Sequence, residues 1–272
     1  MEYSIYGEKE GRLVVYFHGA PGSSSEGAVF DGAAKNAGLK VVCFDRFSTD
    51  YDRDRTAYYK QLSQQVSELL GEGETVDIIG FSIGAFVALK VSALLGDKVK
   101  NIHLISAAAP LSSGDYLDDM AGGFVFKLAD RYPLAFYLLT QYQKALSFIA
   151  PKLLFGILFA SAAGRDVKLA KDRGFKDYII PILQTCFKAN ASGYMRDVTS
   201  YVQWNDDFKW CHAKTTNWHG TNDNWSPFNM AIELQKAIPG AVALESLEGM
   251  SHYSCLFEVA PKIMAQLSEN KM

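Results

Sequence analysis

The stretch Val76-Asp77-Ile78-Ile79-Gly80-Phe81-Ser82-Ile83-Gly84 decides how this chain folds. Val76–Ile79 reads as a buried strand and Ile83–Leu95 as an apolar helix, so Gly80-Phe81-Ser82 must turn sharply between them. The pattern Gly-x-Ser-x-Gly is cheap by itself: with Gly and Ser near 7% each, about one chain in ten of this length holds a match. Its setting gives it weight. A serine at the apex of a strand–turn–helix is pushed into an unfavourable backbone conformation, and the close approach of helix and strand excludes side chains two positions either side. Glycine at 80 and 84 meets that demand. Such a turn makes the Ser82 hydroxyl a candidate nucleophile. The plainer alternative is a Gly/Ser helix cap between a strand and a helix.

Upstream, Arg12–Phe17 and Leu39–Phe44 are short β-branched and aromatic runs, with helix-compatible Glu26–Ala37 between them and a helix at Thr56–Leu70 after them. Downstream, Ile102–Ile105 reads as a further strand. Near-continuous apolar strands alternating with helices argue for a parallel sheet covered on both faces. The rhythm breaks at Leu111. From there to about Met195 the chain is rich in Phe, Tyr, Leu and Ala at helical spacing, and Pro133, Pro151 and Pro181 are expected to cut it into several short helices. Alternation resumes with strands at Lys214–Trp218 and Ala241–Leu247 and helices at Phe228–Ile238 and Leu256–Leu267. The pattern predicts an α/β fold, a mostly parallel central sheet flanked by helices. Residues 1–110 and 196–272 form its core, and 111–195 are inserted as a helical cap.

Composition narrows the function classes. A net charge of −3, from 27 basic and 30 acidic residues with no Lys/Arg-rich run, lacks the footprint of a nucleic-acid binder. The cysteines Cys43, Cys186, Cys211 and Cys255 are scattered without metal-like spacing. With no nucleotide loop either, no cofactor is expected. Leu153–Ala163 is nearly all apolar but only 11 residues long, against about 20 needed to span a bilayer. A buried or pocket-lining helix is expected there, with an interfacial helix as the alternative. Met1-Glu2-Tyr3-Ser4 shows neither a basic start nor a following apolar run, so the expected location is cytoplasmic.

Four stretches, in chain order, resemble the α/β-hydrolase superfamily in its cap-bearing branch. His18-Gly19-Ala20-Pro21-Gly22 is similar to the family's His-Gly-x-Pro-Gly oxyanion loop, and Gly80–Gly84 to its nucleophile elbow. Gly220-Thr221-Asn222-Asp223-Asn224-Trp225-Ser226-Pro227 resembles the acid loop and Gly249-Met250-Ser251-His252 the histidine loop. The likeness covers most of both core segments. It is specific for the superfamily and nearly silent about substrate. It implies an oxyanion hole made by the backbone N–H groups of Ala20 and Ile83, since Pro21 cannot donate, and a structural His18 ring that shapes the turn. Two departures stand out: Asp45-Arg46-Phe47-Ser48-Thr49-Asp50 lacks the family's loop glycines, and no proline precedes the strand leading to the acid.

A serine hydroxyl is a poor nucleophile unless a neighbour takes its proton. Neutral imidazole, with an ordinary pKa of about 6.5, suits that task. Of the five histidines, His103 sits within a predicted strand and His219 ends the strand Lys214–Trp218 beside the acid loop, and both are read as structural, while His212 precedes that strand with no motif around it. His252, in a Gly/Ser loop between the last strand and last helix, is the expected base. Asp223 is expected to hold the other ring nitrogen, in the chain order Ser…Asp…His. Its bland alternative is an Asx-turn, while Asp206 and Asp207 precede the strand. The expected reaction is hydrolysis of a carboxylic ester or related acyl compound through an acyl-enzyme, on a small and mainly apolar substrate, with Phe81 and Trp225 in its pocket. Carbon–carbon hydrolysis, amidase or peptidase action and perhydrolysis would use the same groups. A non-enzymatic small-ligand receptor would keep the scaffold without turnover. Serine at the elbow counts against the aspartate-based dehalogenase and epoxide-hydrolase branches.

Overall fold

The computed structural model describes residues 1–48, 55–188 and 191–269. Thr49 and Asp50, part of the loop without glycine, lie outside the described residues. Among these residues one seven-stranded sheet forms, from β1 (Tyr3–Gly7), β2 (Arg12–Phe17), β3 (Leu39–Phe44), β4 (Val76–Phe81), β5 (Val99–Ile105), β6 (Lys214–Gly220) and β7 (Ala241–Leu247). Their order across the sheet is β1-β3-β2-β4-β5-β6-β7. Every neighbouring pair is parallel except β1 with β3.

The physical cause is burial. Val14, Val15, Val41, Val42, Ile78 and Ile79 are fully buried, as strands covered on both faces must be. The edge strand β1 escapes the sequence reading because its residues (YSIYG) are half exposed and form no apolar run.

Helices cover the sheet. They are α1 (Asp31–Ala37), α2 (Arg55–Glu68) and α3 (Gly84–Leu95), and after the sixth strand α10 (Phe228–Ala237) and α11 (His252–Glu269). The expected helix over Glu26–Ala37 divides into a 3-10 segment, Ser24–Phe30, and α1. Between β5 and β6 lie α4 (Gly123–Arg131), α5 (Pro133–Ile149), α6 (Pro151–Leu158), α7 (Asp166–Leu169), α8 (Arg173–Cys186) and α9 (Ser192–Val202). Pro133 and Pro151 each start a helix, where a missing N–H costs nothing.

Pro181 corrects the sequence reading, because it lies inside α8 and does not end it. Its side is exposed, so the carbonyl it leaves unpaired, at Asp177, can meet water. The apolar run from Leu153 is also not one helix: α6 stops at Leu158, with Leu154 and Phe155 buried and Leu153 and Ile157 exposed. Among the described residues no helix is long and apolar enough to cross a membrane.

The last helix of this group, α9, runs across residue 195 and joins the group to the core. The Arg46 guanidinium and the Asp197 carboxylate pair there with both side chains fully buried. A Cβ on Gly193 would sit 2.5 Å from Phe47 Cα, so glycine lets α9 lie against that loop.

Candidate active site

The turn between β4 and α3 holds Ser82 at φ 55°, in the left-handed region that costs a non-glycine residue about 1–3 kcal/mol. Neighbouring backbone pins it there. Ser82 N–H donates to Ile105 O at 3.0 Å, and Ser82 O accepts from Ala85 N at 3.0 Å and Ala108 N at 3.2 Å. The flanking glycines answer to close approach. A Cβ on Gly84 would lie 2.1 Å from Phe17 O, and one on Gly80 would lie 2.6 Å from Ala85 Cα.

Ser82 opens onto a cavity of about 230 Å³. Ala20 and Ile83 line the same cavity, together with Trp225 from the β6–α10 loop and, from the segment between β5 and β6, Met120 ahead of α4, Val125, Leu139 and Val198. Among the described residues the amides of Ala20 and Ile83 donate no hydrogen bond elsewhere. Two backbone donors are therefore unengaged beside the serine.

His252 is the first residue of α11, and its Nδ1 stands 2.8 Å from Asp223 Oδ2. The other oxygen of Asp223 accepts from Trp225 N at 2.9 Å and Ser226 N at 3.0 Å. Burial alone would raise this carboxyl, but the charge and hydrogen bond of His252, then His219 and the Ser226 amide, hold it below its ordinary value. Two rings pack on the imidazole, Phe81 tilted at a centroid distance of 4.6 Å and Trp225 stacked at 5.7 Å. The acid and imidazole are thus joined. Ser82 Oγ makes no hydrogen bond to His252 among the described residues, although the preceding residue packs on that ring.

The remaining candidates sit as follows. Phe81 is buried with its ring against His252 and Tyr253, outside the cavity lining, whereas Trp225 does line it. His18 Nδ1 is 2.8 Å from Gly19 O, and burial followed by the Arg46 charge pushes the imidazole far below its usual pKa, so it stays neutral. His103 accepts from Trp218 Nε1 at 3.2 Å, and burial lowers its pKa to about 4. His219 Nε2 is 2.7 Å from Ser226 O and 3.7 Å from Asp223 Oδ2, beside the acid loop as its place at the end of the strand suggests. Asp206 and Asp207 are spent on ion pairs with Lys90 and Lys209.

Two residues the sequence did not flag hold the site from behind. Asp166, at the start of α7, accepts from Tyr253 N at 2.9 Å and Ser254 N at 2.7 Å, capping the helix that begins with His252. No local pattern connects it to a helix so far along the chain. Glu26 lies fully buried behind the Gly19-Ala20 loop, its Oε1 accepting from Gly19 N at 2.9 Å and Tyr16 Oη at 2.6 Å. Burial lifts its carboxyl from 4.5 to about 7, although the Tyr16 and Gly19 hydrogen bonds and the Arg46 charge pull the other way.

That shift has a measurable consequence. Folded Glu26 keeps its proton up to about pH 7, while an unfolded glutamate releases it near 4.5. The native state therefore binds more protons across that window, and the stability from this group is full below it and lost as pH rises through it. The stability of wild type relative to Glu26→Gln should fall by about 2 kcal/mol between about pH 5 and pH 7.5 in urea titrations. A difference that stays constant over that range would remove the assignment.

A family model described as alpha/beta hydrolase fold matches residues 12–259. No curated relative matches the chain. Among solved structures, the chain is similar to a bromoperoxidase from Bacillus anthracis at 18% identity and a TM-score of 0.66, covering 97% of this chain and 93% of that one. It is similar also to an esterase from Exiguobacterium antarcticum at 18% identity and a TM-score of 0.67, covering 98% and 95%. At such identities the likeness is one of fold.

Proposed function

This chain belongs to the alpha/beta hydrolase fold family, and on that premise we propose that it is a serine hydrolase cleaving a carboxylic ester or related acyl compound. Ser82 Oγ attacks the acyl carbon as His252 Nε2 takes its proton, and Asp223 holds the Nδ1–H and stabilises the imidazolium. The carbonyl oxygen, now negative, accepts from the amides of Ala20 and Ile83. Collapse expels the alcohol, which leaves with the proton from His252. Water, deprotonated by the same imidazole, then releases the acid and restores Ser82. The observation that carries this reading is the 2.8 Å Asp223–His252 hydrogen bond, together with a strained Ser82 that lines one cavity with Ala20 and Ile83, whose amides are unengaged.

The cavity size supports a small acyl group, since about 230 Å³ lies below the usual range for drug-sized ligands. Residues 111–195 act as the cap in this proposal, because Met120, Val125 and Leu139 close the apolar side of the cavity. A fluorophosphonate probe should label Ser82, and nitrophenyl acetate and butyrate should turn over with higher kcat/KM than nitrophenyl dodecanoate. Labelling with no turnover across a panel of esters, thioesters and amides would replace the enzyme with a ligand receptor on the same scaffold.

A further inference from the structure

A second cavity, of about 730 Å³, is divided from the first by α6. The two share no lining residue: Phe155, Gly156 and Phe159 face the larger one, while Ile157, Leu158 and Ser161 face the one that holds Ser82. Its volume is typical of small-molecule sites, about 300–1,000 Å³. The floor is apolar, with Phe155 and Phe159 stacked at 4.6 Å and Val167 and Ile180 beside them. The rim is basic. Lys152, Lys171, Arg173 and Lys176 line it against a single acid, Asp177, which stands 3.6 Å from Arg173 Nε. Asp172, exposed between Lys171 and Arg173, accepts from Phe175 N and brings a second acid near the rim, and buried Asp166 accepts from Tyr253 N, so the cations of the rim still outnumber the acids around it. An apolar floor under a cationic rim suits a molecule with an apolar tail and an anionic head.

The segment that leaves the floor of this cavity at Phe159 and runs to Asp166 also contacts the loops of Asp223 and His252. Asn224 Nδ2 donates to Ser161 O at 2.7 Å, and Arg165 N to Gly249 O at 3.0 Å. Asp166 caps the helix that starts at His252. The Phe159 ring lies 5.6 Å from Trp225 and 5.5 Å from Tyr253, and Trp225 stacks on His252. Residues 159–166 therefore touch both the loop of Asp223 and the loop of His252.

We propose that the larger cavity is a second ligand site for a single-chain fatty acid, carboxylate at the rim and tail on Phe155 and Phe159, and that its occupancy is felt at His252 through residues 159–166. Binding at this site does not depend on Ser82 being a nucleophile. Dodecanoate carrying a diazirine at its tail end is the probe, irradiated with the full chain and mapped by peptide mass spectrometry. Adducts are expected on Phe155, Phe159 or Ile180. Labelling should drop about tenfold in Lys171→Glu/Arg173→Glu, two exposed positions where charge reversal removes the attraction without disturbing packing. Adducts confined to Phe124–Phe126 or Leu139, or equal labelling of the double variant, would overturn the site. Saturating dodecanoate should also move the His252 ring-proton resonance in wild type and leave it in place in the double variant at that concentration. A resonance that never moves would overturn the connection. Ester turnover is not among these readouts, so failure of the hydrolase reading and failure of this one are seen separately.

Discussion

Ser82→Ala should lower kcat for ester hydrolysis by about 10⁴–10⁶-fold, with little change in KM. The alanine has no proton to give and no lone pair to attack with, so the acyl-enzyme route closes. On the proposed mechanism, rate enhancement by the Ala20 and Ile83 amides and by binding alone should survive, about 10³–10⁴ over water. His252→Ala should cost as much, and Ser82→Ala/His252→Ala hardly more than either, because base and nucleophile act as one device. Asp223→Asn should cost about 10⁴-fold, since an amide at 2.8 Å from Nδ1 presents the wrong tautomer at Nε2. The fold should survive the first change. Ser82 contributes its backbone bonds to Ile105, Ala85 and Ala108, and alanine keeps all of these. A folded Ser82→Ala protein turning over ester within tenfold of wild type would sink the mechanism and leave the scaffold assignment standing.

How much of this was legible in the sequence depends on burial. The central strands could be read because Val14, Val42, Ile78 and Leu104 are covered on both faces and leave an unbroken apolar run. The edge strand β1 could not, since only one side of it meets the core. Loop motifs singled out Ser82, Asp223 and His252 as candidates because a turn constrains its glycines locally, as Gly84 against Phe17 O shows. Local constraint says nothing about partners far along the chain. Asp166 caps the helix of His252 from across the fold, and Glu26 props the Gly19 amide from a 3-10 segment that reads as helix. Phe81 illustrates a different limit. It ends β4 just before the backbone turns at Ser82, and its ring packs on the imidazole instead of lining the cavity, which the spacing of the motif does not report. Pro181 shows that a breaker can be tolerated where water reaches the freed carbonyl, which sequence alone does not report.

Asp197→Ala should destabilise the protein by about 3–5 kcal/mol, the usual cost of leaving a buried charge without its partner. Asp197 sits at the centre of a cationic pair. Arg46 is fully buried against it, and Arg196 Nη2 lies 2.9 Å from its other oxygen. Removing the carboxylate leaves two guanidinium groups facing each other with no anion between them. Arg46→Met should cost less, because Asp197 keeps Arg196 and the methionine still fills apolar space. Arg46→Met/Asp197→Ala should then be more stable than Asp197→Ala alone, a sign reversal that only a coupled pair produces. The effect should reach the active site as well. Arg46 Nη2 also donates to His18 O, at the entry to the Gly19-Ala20 loop, so kcat should fall in folded Arg46→Met more than KM rises. Urea titration gives the stabilities, and raising salt should barely change them, because buried pairs are screened far less than exposed ones such as Lys236–Glu233. If the double variant lost as much as the two single changes added together, Arg46 and Asp197 would be independent, and the joint between α9 and the sheet would owe its stability to apolar packing alone.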